Sequence, residues 1–138
     1  MKNIGKNILA IIAGWLVGSV INLSLIKLGH LLLPIEGVDP NDMEALAAVM
    51  PTLEFKYFIF PFLAHAIGTL IGAIVAGLIA INHKMKFALG IGAIFLMGGI
   101  LVSFMLPAPT WFVIVDLVLA YIPMAWIGGK LATRKSQS

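Results

Sequence analysis

The stretch PFLAHAIGTLIGAIVAGLIA, residues 61–80, decides the fold. An α-helix needs about 20 mostly apolar residues to cross the hydrocarbon of a bilayer, and this stretch supplies them. A barrel strand would alternate apolar with polar residues instead. With no water in the hydrocarbon, each backbone N–H must bond within its own segment, which a helix achieves. The stretch also holds one group that prefers water, the imidazole of His65. Why it is there is the functional question.

The rest of the chain agrees with a membrane setting. Of 138 residues, 61% are apolar and only 11% charged. Soluble domains carry about 25% charged residues. A single water-soluble core in so short a chain could not cover this much hydrocarbon, so the bilayer is the expected partner. Four spans are expected, at about 8–33, 58–81, 87–106 and 111–129, joined into a single domain over 1–138. An external loop covers 34–57. The apolar run after Lys2 and Lys6 resembles a signal peptide, but it is long and no small-x-small cleavage site follows. It reads as an uncleaved first span.

Charge sets the orientation. Lys2 and Lys6, then Lys84 and Lys86, then Lys130, Arg134 and Lys135 all fall on one side of four spans. The other side has Glu36, Asp39, Asp42, Glu44 and Glu54 against Lys56. Basic residues mark the cytoplasmic face. A multi-pass protein of the cell inner (plasma) membrane with both termini cytoplasmic is therefore expected. The net charge of +3 is small. The basic residues form no stripe with interleaved aromatics, so nucleic acid is not an expected partner.

In the external loop, DPNDMEALAAVMP (39–51) reads as a short helix. Asp39 is the expected N-cap, Pro40 the first helical residue, and Pro51 the stop. Met43, Leu46, Ala47 and Met50 share one face, which suits an interfacial helix with its apolar side down. Residues 6–20 align with 86–100 without gaps, and 63–73 share Leu-Ala and Ile-Gly with 119–129. The alternatives are a two-helix duplication and chance likeness between apolar segments.

Helices associate in lipid through close backbone approach and polar contacts. Gly68, Gly72 and Ala76 form a small-xxx-small ridge. Gly92 and Gly99 lie seven apart, and Gly14 and Gly18 repeat the spacing in the first span. These are expected packing positions, within one chain or between copies.

Ionisable groups inside a membrane are costly and mark functional sites by default. Asp116 lies about 7–8 Å inside the fourth span and His65 about 10 Å inside the second, both from the outer side, at ~1.5 Å per residue. Asn22 and Ser103 lie near the outer ends of the first and third spans. At 100° per residue, His65 shares a stripe with Gly68, Thr69 and Gly72, so it faces the bundle. Asp116 is its leading partner. Pro123, on the Asp116 stripe, should kink the fourth span. Two readings stand. Either His65, Asp116 and Asn22 are satisfied interhelical contacts, or with Thr69 and Ser103 they line an outward cavity and bind a proton, a cation or a polar ligand.

Much chemistry is absent. There are no cysteines, hence no disulfide and no thiolate ligand or nucleophile. No HExxH, P-loop or Rossmann fingerprint occurs. His30, Glu36 and Asp39 have no strict metal spacing. No cofactor or metal is expected.

FIFPFLAHAIGTLIGA (58–73), FMLPAP (104–109) and AYIPMAWIGGKLA (120–132) resemble segments of small four-span bacterial membrane proteins with no assigned activity. The resemblance covers most of the chain. It implies a class and a location, and no reaction. The first span has Asn22 where small multidrug exporters have a carboxylate, which argues against an antiporter of that type.

The expected architecture is an all-α transmembrane four-helix bundle with a short external interfacial helix. The expected function is a carrier or channel for a small solute, proton or cation. The alternative is a non-catalytic scaffold or regulatory subunit that binds another membrane protein. An intramembrane enzyme with His65 as base is a third reading, and it lacks a nucleophile or metal set. Four short spans enclose little volume, so self-association is expected, as a homo-oligomer.

Overall fold

The computed structural model describes residues 2–137, without the side chains of residues 2, 136 and 137. The Lys2 charge and the two end residues of the expected domain lie outside the described set. Six α-helices follow in order: α1 (Lys2–Leu32), α2 (Met43–Val49), α3 (Ile59–Ile79), α4 (Lys84–Met105), α5 (Thr110–Leu119) and α6 (Ile122–Gln137). Short 3-10 turns occupy Met50–Thr52 and Phe55–Phe58, and no strand occurs among the described residues. Four segments are long and apolar enough to cross a membrane: Asn3–Leu32, Phe55–Ile79, Lys84–Met105 and Thr110–Lys135.

The four long apolar segments follow the hydropathy, the fourth running on past residue 129 to Lys135, and three further differences stand out. First, α1 starts at Lys2 instead of residue 8, because a helix that leaves the apolar layer keeps its backbone bonds and needs only helix-tolerant residues. At 31 residues it is about 46 Å long, well beyond a ~30 Å hydrocarbon layer. Second, the fourth span is two helices. Pro123 has no N–H to offer the Leu119 carbonyl, and its ring crowds that turn. The chain breaks at Ala120–Tyr121, with Ala120 N donating to Asp116 O at 2.9 Å and Ala125 N to Tyr121 O at 2.8 Å. Third, α2 starts three residues after the turn at Asp39–Pro40. Asp39 Oδ1 instead accepts from Asn41 N at 2.9 Å, an Asx turn that holds Pro40 outside the helix. Asp42 is the true cap, its Oδ1 accepting from Ala45 N at 3.1 Å.

Packing is a glycine matter. A Cβ built on Gly14 would lie 2.6 Å from Gly72 O and 3.0 Å from the Ala76 methyl. One built on Gly18 would lie 2.7 Å from Gly68 O. Helices α1 and α3 thus meet backbone to backbone, antiparallel. On the far side, Gly92 faces Ala125 and Gly99 faces Tyr121, which seats α6 on α4. Gly128 sits against Leu70 and Ala73, and Gly77 against Ala132, which seats α6 on α3. Gly14, Gly18, Gly68, Gly72, Gly92 and Gly99 each meet a neighbouring helix or the α5–α6 break of the same chain. The aligned positions Gly18 and Gly98 differ in contact. Gly18 is pressed on α3, while its counterpart Gly98 has nothing within 4 Å of a built Cβ.

The outer surface is apolar. Val20, Leu31, Leu101 and Phe104 are exposed, Phe104 to 83%. With the long apolar helices, this surface fits a protein embedded in a membrane.

Helix α5 stands apart from this packing. It contacts α3 and α4 far less than α6 does. Where α5 replaces α6, the bundle opens.

Candidate functional site

The opening holds a cavity of about 420 Å³, within the usual range for small-molecule sites. It lies at the end of the bundle that carries residues 33–58 and 106–109. Helices α1, α3, α4 and α5 supply its wall, and α2 covers it.

Four residues expected from sequence line it together: Asn22 from α1, His65 from α3, Ser103 from α4 and Asp116 from α5. His65 Nδ1 lies 2.7 Å from Asp116 Oδ1, a close imidazole–carboxylate pair between two helices. Tyr121 completes a triad. Its hydroxyl donates to Asp116 Oδ2 at 3.2 Å, and its ring stacks on the imidazole at 5.7 Å between centroids. Asp116 is only 5% exposed, so its charge sits in a low-dielectric setting where such contacts are strong. This answers the question raised by His65. The imidazole is accommodated because it faces the bundle and has a carboxylate to hold. Interhelical hydrogen bonds of this kind contribute about 0.6–2 kcal/mol.

The other expected residues differ. Ser103 Oγ donates to Ile100 O at 2.6 Å, back into its own helix. Asn22 Oδ1 is buried and meets no donor among the described residues. Thr69 does not line the cavity. It is 1% exposed, one turn beyond His65 toward the tight seam, and its Oγ1 also meets no donor among the described residues. The shared stripe placed it on the right face, but the helices have already closed at its level.

Sequence reading missed seven contributors. His30, Lys56 and Tyr57 line the cavity nearer its mouth, as do Met43, Leu46 and Met50. The three apolar residues are the α2 face expected to rest on lipid. That face turns onto the bundle, and Leu46 is 7% exposed. Tyr121 had a signal of the wrong sign. Five residues of continuous helix would turn it about 140° away from Asp116, at 100° per residue. Only the break before Pro123 brings its hydroxyl back.

A ring of aromatics borders the wall. Trp111 stacks on Phe55 at 5.6 Å and meets Phe58 edge-on, and Phe58 meets Phe112 at 4.7 Å. This anchors the start of α5 to the turn before α3.

No group of three or more His, Asp or Glu that could hold a metal occurs among the described residues, so His30, Glu36 and Asp39 do not form one. Compared with protein-family models, with curated proteins and with solved structures, the chain matches none.

Proposed function

We propose that the protein is a multi-pass membrane protein of the inner (plasma) membrane that binds and carries a small solute, proton or cation through its cavity. The observation that carries this reading is the convergence of Asn22, His65, Ser103 and Asp116 from four helices on one cavity at one end of the bundle. A structural contact alone would need only the His65–Asp116 pair. It would not leave about 420 Å³ of space beside it or a cavity-lining amide oxygen without a donor.

Charge supports the direction. The cavity end carries all six acidic residues, and the opposite end carries Lys6, Lys84, Lys86, Lys130, Arg134 and Lys135. By the positive-inside rule the cavity opens away from the cytoplasm and both termini are cytoplasmic. Helix α2 then lies at the outer surface as a cover.

The scaffold reading ranks second. Its best sequence support was the Gly68–Gly72 ridge, and that ridge is occupied by α1 of the same chain.

The test is flux in proteoliposomes, with protons and small organic cations as first probes. Asp116→Asn and His65→Gln, made singly, are expected to cut transport by tenfold or more while both variants still fold. Wild-type rates in both variants contradict the assignment.

A further inference from the structure

The chemistry of the cavity is uneven along its depth, and this selects a ligand class. His30 lies eight residues beyond Asn22 on α1, about 12 Å along the axis. The mouth therefore has His30 and Lys56, and the floor has Asn22, His65 and Asp116. Between them the wall is apolar, with Ile26, Phe60 and Val113 among its residues.

The floor is rich in unfilled acceptors. An ionised carboxylate offers about four lone-pair sites. His65 and Tyr121 take one on each oxygen of Asp116, so about two remain. Asn22 Oδ1 adds a buried acceptor with no donor among the described residues. Such a floor calls for a donor, and the Asp116 carboxylate, the one acid among the described lining residues, favours a positive donor where His65 holds it as a neutral imidazole.

Lys56 opposes a cation, but weakly. It is exposed, with its ammonium 5.1 Å from the Tyr57 ring centroid, so water and salt screen it. Asp116 is buried and screened far less. The five other acidic residues sit in the loop at this end and draw cations toward the mouth. An acid entering the floor would instead meet the Asp116 carboxylate at close range.

We propose that the cavity takes an amphiphilic amine: an ammonium head donating to Asp116 at the floor, and an apolar body against Phe60, Val113 and the underside of α2. Burial of the head is offset by the carboxylate. The Met43, Leu46 and Met50 face of α2 closes over the body. Methionine repacks readily, which suits bodies of more than one shape.

This inference rests on the cavity being a binding site, and one experiment separates the two claims. Three probes of matched size are titrated against the wild-type chain in phosphatidylcholine nanodiscs: phenethylamine, phenethyl alcohol and 3-phenylpropionate. Empty nanodiscs correct for partition into lipid. The amine is expected to bind at least tenfold tighter than the alcohol, with the carboxylate weakest. Asp116→Asn is expected to remove the preference for the amine over the alcohol. Equal binding of all three, or tighter binding of the carboxylate, overturns the amine assignment while the cavity stands as a site. No binding of any probe overturns the cavity reading as well. Because the series uses the wild-type chain, it decides the matter even where Asp116→Asn does not fold.

Discussion

The two ends of this bundle are built from the same helices on opposite plans. At the end that carries both termini, small residues let backbones touch and polar groups are paired. Gly14 meets Gly72 there, and Asn7 joins the α3–α4 turn through Asn82 Oδ1 at 2.9 Å and Ile81 N at 3.1 Å. Lys84 caps α3, its Nζ donating to Gly77 O at 3.1 Å and Ala80 O at 2.5 Å. At the other end the glycines meet large side chains, Gly29 against Phe60 and Gly99 against Tyr121, α5 stands away from the bundle, and polar side chains line open space. The difference teaches that closure and opening here are set by side-chain size and by one proline.

The largest expected effect comes from breaking the closed end. Gly72→Leu forces a side chain into α1, where a Cβ alone would lie 2.7 Å from Gly14 O. Overpacking costs about 1–3 kcal/mol, and a contact with backbone belongs at the top of that range. Denaturant titration in detergent should show at least that loss. Gly98→Leu, on the same kind of helix with nothing within 4 Å, should change stability by less than about 0.5 kcal/mol. Similar losses in both variants would contradict the seam.

A smaller and more local effect should follow from closing the open end. Pro123→Ala restores the missing N–H and lets α5 run into α6. Hydrogen exchange at residues 119–123 should slow, and Tyr121 should swing off Asp116. Overall stability should hold or rise, while binding at the cavity falls. Unchanged exchange would mean that something other than Pro123 holds the break.

The smallest contrast sets two lysines against each other. Lys84→Met removes a cation from the last carbonyls of α3 and should cost about 1 kcal/mol. Lys56→Met removes an exposed ammonium and should cost close to nothing. Equal effects would contradict the contrast between a satisfied end and an open one.

How much of this was legible in the sequence follows from the physics of each signal. The four spans were legible because twenty apolar residues in a row have few other solutions. The packing glycines were legible because four- and seven-residue spacings keep one helix face. His65 and Asp116 were legible as a pair because each is costly alone. The start of α2 was misplaced because Asp39 and Asp42 are both capable caps, and only the Asx turn at Asn41 decides between them. Thr69 was misplaced because phase gives the face of a helix and says nothing of the level at which two helices part. Lys56, Tyr57 and the α2 residues reach the cavity by tertiary folding of a loop, which no periodicity encodes. Tyr121 is the instructive case, since the break that Pro123 announced also changes the phase of everything after it.

The central claim is that a cavity with a polar floor opens at the end of the bundle away from the termini and stops just above Thr69. The chain has no cysteine, so single cysteines report cleanly. Asn22→Cys, Ser103→Cys and Thr69→Cys are placed in sealed cells and treated from outside with a membrane-impermeant maleimide. The account predicts fast labelling of the first two and none of the third. Labelling of Ser103→Cys only from the cytoplasmic side, or of Thr69→Cys as fast as Asn22→Cys, would contradict it.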